Sequence, residues 1–330
     1  MNNSKYSICI IGVYFGNLPQ WFNLWLKSCE YNKTVDFLIV TDNHIQNLPS
    51  NVRVEMLTLA QFKALAEEKL GMKISLSRPY KCCDFKPVYG VILQDFIVGY
   101  HFWGHCDFDL IFGDIRKFIT DEILETHDKI LTLGHLTFYL NTFDCNQRYK
   151  LEANLTYDYK VVFSTDKNFA FDEIEGINKI YSYHGFTKYD NQIFADITNI
   201  NYRFKLTQKK RNSNYQVFYW ERGKILRAYC DMNKSIQTDE FIYIHFQKRK
   251  LSEPLFNHRN ADSFYITPMG FTTKSIGIPT IEDIKKYNQF KNALYEKWEE
   301  ILFFTKDIIR AIPNKIKTVL KKNLLLCPKE

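Results

Sequence analysis

Apolar positions along this chain come in short unbroken runs separated by stretches with helical spacing. Residues 7–14, Ser-Ile-Cys-Ile-Ile-Gly-Val-Tyr, form such a run, as a strand buried on both faces does. Phe15-Gly16-Asn17 and a helical stretch through Trp21, Trp25 and Leu26 follow. The pattern predicts a second strand at Asp36–Thr41 ending in Asp42-Asn43, a third over Val52–Leu57, and a helix over Leu59–Leu70. A helix after Pro87, from Val88 to about Phe96, leads into a strand that closes in Asp107-Phe108-Asp109. Strands alternating with helices argue for an α/β fold, a mostly parallel sheet flanked by helices on both faces. Further on, Lys129–Leu133, Thr137–Leu140, Lys160–Phe163 and Lys179–Tyr183 look like short strands. Gln216–Trp220 and Ile225–Tyr229 form a hairpin pattern, and Phe241–Phe246 a final strand. From Ile281 the spacing is helical as far as Pro313, and a basic amphipathic piece, Ile316 to Leu326, follows.

The acidic pair is the first sign of chemistry. On a strand, residues one apart share a face, so Asp107 and Asp109 are expected to point together beyond the strand's carboxyl end. Ligands in open α/β sheets sit there, where Phe15-Gly16 and Asp42 also fall. Two convergent carboxylates suit Mg²⁺ or Mn²⁺, which is commonly held by one or two carboxylates together with substrate phosphate oxygens. Asp114 is expected to cap the helix that begins near Ile115.

Composition narrows the class. With 330 residues, 45% of them hydrophobic, the chain can bury a sizeable core, and its eight cysteines show no Cys-x-x-Cys, which reads as reduced thiols. No signal-peptide pattern opens the sequence and no run is long enough to span a membrane, so a cytoplasmic location is expected. Net charge is +7, and residues 306–330, with seven basic and two acidic residues, supply +5 of it. A basic tail on a near-neutral body suggests contact with an anionic surface, not a nucleic-acid-binding body. Trp298, Ile301, Leu302, Phe303 and Phe304, continuing to Leu324–Leu326, would let basic helices lie on the inner face of the cytoplasmic membrane, or pack on the core with a solvated basic face. The expected organisation is a core over residues 1–255 and a helical, basic C-terminal extension over 256–330.

Four segments together resemble a bacterial family of GT-A-type glycosyltransferases that build capsule, O-antigen and lipooligosaccharide. They are Tyr14-Phe15-Gly16, the stretch Arg78-Pro-Tyr-Lys81-Cys-Cys-Asp84-Phe-Lys86-Pro87, the block Trp103 to Asp114, and Ile244-His245-Phe-Gln-Lys248-Arg249. The resemblance covers roughly residues 7–250 and implies a GT-A-like (Rossmann-like) catalytic domain. It implies a nucleotide-sugar donor, a UDP-sugar foremost with galactose among the sugars, and a glycan or lipid-linked glycan acceptor. It favours His245 as the third metal ligand beside Asp107 and Asp109, although a strand histidine bonded to a backbone carbonyl would fit the residue alone. Lys248 would meet the diphosphate, and Arg78, Lys81, Asp84 and Lys86 would reach the nucleotide, unless they belong to a solvated loop. Asp42 would accept from uracil or ribose, or form a turn with Asn43. Asp172 and Glu173 are candidates for the base that deprotonates an acceptor hydroxyl in an inverting reaction, or for groups that position the acceptor in a retaining one; helix capping is their alternative. Tyr183-His184-Gly185 and Asp190-Asn191-Gln192 are further places for sugar hydroxyls.

Two other readings stay open. One is a different metal-dependent nucleotide enzyme, a nucleotidyltransferase or phosphodiesterase. The other is a non-enzymatic binder acting through its basic tail. There is no Walker-type loop, no Gly-x-Gly-x-x-Gly and no Ser-His-Asp pattern with usable context, which disfavours kinase, dehydrogenase and hydrolase chemistry.

Overall fold

A computed structural model describes residues 4–199, 201–230, 235–254 and 256–288. The basic stretch 306–330 and the apolar positions around Trp298 lie outside the described residues. The strands are β1 (Ile8–Tyr14), β2 (Asp36–Thr41), β3 (Val52–Met56), β4 (Phe102–Cys106), β5 (Leu110–Phe112), β6 (Lys129–Ile130), β7 (Leu136–Leu140) and β8 (Lys188–Tyr189). They continue as β9 (Ala195–Asp196), β10 (Gln216–Glu221), β11 (Lys224–Cys230), β12 (Ile236–Phe241), β13 (Tyr243–His245), β14 (Ser263–Thr267) and β15 (Gly270–Thr273).

Seven strands make the main sheet in the order β3-β2-β1-β4-β7-β6-β8. β1 pairs in parallel with β2 on one side and β4 on the other, and β7 alone runs against the rest. The apolar run of β1 divides between two cores. Cys9 and Ile11 join Leu38, Val40 and the helix α2 (Leu59–Leu70) through Phe62 and Ala66, while Ile8 and Ile10 join Phe37, Ile39 and the helix α1 (Phe22–Glu30) through Trp25 and Leu26. Both faces of the sheet are therefore covered, which is what the continuous apolar runs require. The α2 boundaries follow from its ends: Thr58 and Gln61 form a reciprocal capping box, and Gly71 closes the helix at φ 65°.

The order 3-2-1-4 reverses direction between β1 and β4. A crevice opens at such a switch point beyond the strands' carboxyl ends. The chain leaves β4 into this crevice and crosses to a second, three-stranded sheet, β5-β13-β9. A third sheet, β12-β11-β10-β14-β15, packs its inner face on that one through Ile111, Phe218, Trp220, Ile244 and Phe264. The β10–β11 hairpin turns on Arg222 and Gly223, both at positive φ, as a two-residue loop demands.

Several expectations are corrected. Asp107 and Asp109 do not lie on one strand: β4 ends at Cys106 and β5 begins at Leu110, so residues 107–109 are a bend between two sheets. Lys160–Phe163 and Lys179–Tyr183 are helical, within Tyr159–Ser164 and Ile177–His184. Asp158 caps the first, and burial of Ile177, Ile180 and Tyr181 in the second follows helical spacing. The stretch after Pro87 is broken into short turns, of which only Tyr89–Ile92 is α-helical. Past residue 255, β14 hydrogen-bonds to β10 within the third sheet. The expected helix at Ile281 is present over Ile281–Lys286.

Candidate metal centre

Phe108 turns the bend into a ligand-presenting device. Its ring is buried, stacked at 4.9 Å on Trp25, and lies against Gly12, where a Cβ would stand 2.5 Å from it. With Phe108 driven inward, its two neighbours turn out. Asp107, Asp109 and His245 bring their ligand atoms within 4.8 Å of one another.

His245 reaches this point through strand register. β13 pairs antiparallel with β5, placing His245 opposite Leu110, and parallel with β9, placing it beside Asp196. Its Nδ1 donates to Asp196 Oδ1 at 2.8 Å, and its Nε2 lies 3.3 Å from Asp109 Oδ1. Burial opposes charge on the ring, but the two carboxylates outweigh it and push the histidine up to about 9. The two ring nitrogens thus each face a carboxylate, Asp196 on one side and Asp109 on the other. Burial would raise Asp109, yet His245 and the Lys248 backbone N–H, 2.7 Å from Oδ2, hold it below the usual range.

The donor set fits a divalent cation such as Mn²⁺ or Mg²⁺: two carboxylates, plus an imidazole whose far nitrogen is held by a third carboxylate, the usual support of a metal-bound histidine. A second possible group, His135, Asp196 and His245, shares His245 and is wholly buried. In it, Asp196 is already engaged on both oxygens, by His245 and by Gln247 Nε2. The first group is the one that opens to the crevice.

Beside it lies a second cluster. Lys86 Nζ stands 2.7 Å from Asp107 Oδ1 and 3.2 Å from Asp172 Oδ2, and donates to the Gly134 carbonyl at 2.8 Å. Burial disfavours its charge, but Asp107 and Asp172 prevail and keep it protonated, well above the ordinary lysine value. Burial pushes Asp172 up to about 6, with Lys86 opposing and Asp107 and Glu173 adding to the rise. Gly134 is required here: a Cβ would lie 2.3 Å from Asp172 Oδ2 and 3.3 Å from Glu173 Oε1. Both candidate bases therefore share the cleft with Asp107.

The other expected residues divide. Gly16 N donates to Asp42 Oδ1 at 3.0 Å, and Asn43 Nδ2 donates to Gly16 O at 2.7 Å, so Asp42 ties the ends of β1 and β2 together at the crevice. Tyr14 is half-buried at the same edge, its ring 5.2 Å from Phe108. Phe15 is instead a core residue, packed on Phe62. Lys81 and Asp84 are not available to a nucleotide either: both are fully buried and paired at 2.8 Å. Lys81 also donates to the Val162 and Lys167 carbonyls, and Asp84 accepts from the N–H groups of Phe169 and Phe171, so the pair fixes the segment that delivers Asp172. Arg78 is exposed and bonded to Asn168 Oδ1. Lys248 Nζ donates to the hydroxyl of Tyr80, a half-exposed ring on the same rim.

Asp196, His135, Gly134, Gln247 and Tyr80 were not foreseen. Asp196 sits in the apolar run Ile193–Ile197 with no partner nearby in sequence. Only the Gly134-His135 pair between two strands carried a local signal.

Fold and site define an α/β protein with a candidate divalent-cation centre at the switch point of its main sheet. The chain belongs to a family of unknown function, DUF6625, whose model matches residues 10–275. A search of curated proteins finds no match. Among solved structures, the chain is similar to the apo form of the glycosyltransferase GlyE of Streptococcus pneumoniae TIGR4, with 9% identity, TM-score 0.31, and 57% of this chain and 46% of that chain covered. It is also similar to the galactosyltransferase LgtC in complex with donor and acceptor sugar analogues, with 11% identity, TM-score 0.26, and 55% of this chain and 66% of that chain covered. The aligned part spans less than half of the GlyE chain. Superpositions this loose do not define a function, which must be read from the site.

Proposed function

We propose that this protein is a metal-dependent glycosyltransferase that moves a sugar, galactose among the candidates, from a nucleoside-diphosphate donor to a glycan acceptor in bacterial surface polysaccharide synthesis. A UDP-sugar is the favoured donor, and a growing or lipid-linked glycan the favoured acceptor. The observation that carries the reading is the convergence of Asp107, Asp109 and His245 at the crevice between β1 and β4. Asp107, Asp109 and His245 would hold Mn²⁺ or Mg²⁺, whose chemistry is to neutralise charge building on the leaving diphosphate. Lys248, on the same rim, would add a point charge there once released from Tyr80. Tyr14, Gly16 and Asp42 would border the nucleotide. Asp172, poised near 6, suits a base that takes the acceptor hydroxyl's proton, with Glu173 beside it.

No helix among the described residues is long and apolar enough to cross a membrane. We propose that the basic stretch 306–330 touches the anionic inner face of the cytoplasmic membrane, bringing the site to a lipid-linked acceptor.

The identity of the released nucleotide tests the reading. UDP- and GDP-sugars are incubated with the protein and Mn²⁺, and the products separated. Release of the nucleoside diphosphate from one donor class supports the transferase. Release of nucleoside monophosphate or pyrophosphate supports a nucleotidyltransferase or phosphodiesterase, and no turnover of any donor contradicts both.

A further inference from the structure

We infer that Gln247 is the positioning residue of the metal centre: acting through Asp196, it fixes the His245 ring so that Nε2 faces Asp109. The inference rests on the reading of Asp107, Asp109 and His245 as a cation site.

His245 needs such a support. Its ring stacks on His135 with centroids 4.2 Å apart and planes 17° apart. Stacking resists tilting about Cβ–Cγ but does little against rotation about Cα–Cβ that slides the ring along His135, and such rotation would carry Nε2 off the site. The bond from Nδ1 to Asp196 Oδ1 stops that rotation only if the carboxylate is itself fixed. Gln247 fixes it. Its Nε2 donates to Asp196 Oδ2 at 2.9 Å, and its Oε1 accepts from the Asn199 N–H at 3.3 Å, so the amide spans the exit of β9 and cannot swing away.

The backbone supports the same assignment. Residues 246–249 form a tight turn closed by Arg249 N–H to Phe246 O at 3.0 Å, and both central residues have positive φ, 47° at Gln247 and 63° at Lys248. Turns of that kind favour glycine and asparagine, because a Cβ is crowded in the left-handed region. The glutamine side chain there is explained by what it holds, and the turn itself aims a backbone donor at a second ligand. Gln247 grips Asp196, while the Lys248 N–H grips Asp109 Oδ2 at 2.7 Å. One strained turn therefore orients two of the three ligands, a placement typical of functional sites.

The test is Mn²⁺ binding to the full chain without nucleotide, followed by the electron paramagnetic resonance of free and bound ion. Gln247→Leu is expected to raise the Mn²⁺ Kd by about 10- to 100-fold, the usual effect of removing a ligand's support. Gln247→Glu, nearly the same shape but with no N–H for the Asp196 carboxylate, is expected to do the same, and it carries the test should Gln247→Leu not fold. In an Asp196→Asn background, Gln247→Leu should add nothing, because both act on one ring. A packing role alone would not produce that non-additivity. A Kd unchanged in both Gln247 variants, or effects that simply add to those of Asp196→Asn, overturns the inference while leaving the cation site standing. A wild-type chain that binds no Mn²⁺ overturns the site and the inference together.

Discussion

Lys86 stands 2.7 Å from Asp107 and keeps its charge although its side chain is 7% exposed. Because the same ammonium reaches Asp172, a single cation couples the proposed metal-holding carboxylate to the proposed base. Removing one partner of a buried ion pair costs about 3–5 kcal/mol, because a buried charge left behind, here that of Asp172 at 5% exposed, has neither water nor counter-ion. Lys86→Met is therefore expected to lower unfolding stability by about that amount. Urea denaturation checks this, and a loss well under 1 kcal/mol would mean that Asp107 and Asp172 find water instead.

Asp172 gives a pH signature. Burial, opposed by Lys86, raises its carboxyl to about 6, so the deprotonated form a base needs accumulates only as pH rises through 6. The kcat/KM of the wild type should rise through an acid limb near pH 6 and level above it. Glu173→Gln should keep that limb, and Asp172→Asn should lower turnover by about 100-fold or more. The effect on stability has the opposite sign: a carboxylate with a raised folded pKa stabilises the protein at low pH, and that contribution is lost as pH rises through 6.

Gly134 admits no side chain beneath the two candidate bases. Gly134→Ala places a methyl 2.3 Å from Asp172 Oδ2, so the carboxylate must move off Lys86. A stability loss of about 1–3 kcal/mol is expected from the overpacking, with a larger proportional loss of turnover. Thermal melting and donor turnover measured on one preparation separate the two effects. Full turnover in a folded variant would remove Asp172 from the reaction.

Lys129 offers a test away from the cleft. Its ammonium is fully buried beside Asn178 and the Leu131 carbonyl, and burial, with Lys188 adding, brings it down to about 7. Unfolded, it titrates near the ordinary lysine value of 10.5, so between pH 7 and 10.5 the unfolded chain holds more protons. Stability from this group therefore rises with pH across that window, by roughly 5 kcal/mol in all. Unfolding measured at pH 7 and pH 9.5 should show less of this rise in Lys129→Met than in the wild type, and equal slopes would contradict it.

What the sequence made legible was what is local. β1, β2 and α2 stand out because long apolar runs and a Thr58–Gln61 cap each act within a few residues. The apolar run at Lys160–Phe163 was too short to separate strand from helix, and its Asp158 cap decided for helix. Lys81 and Asp84 misled because charge in sequence suggests solvent, whereas two opposite charges one helical turn apart can be buried together. The acidic pair was legible, but convergence comes from the buried Phe108 between the two residues and not from strand alternation. Asp196 was not legible at all, since it meets His245 only through β9–β13 register, across 49 residues of chain.

The most direct measurement is calorimetric titration of UDP into the wild type and into Asp109→Asn, each with Mn²⁺ and with EDTA. The site described here predicts binding to the wild type with Mn²⁺ and at least a tenfold loss on chelation or in the variant, a change of about 1.4 kcal/mol. Equal affinity under all four conditions would contradict a metal-assisted diphosphate site at Asp107, Asp109 and His245.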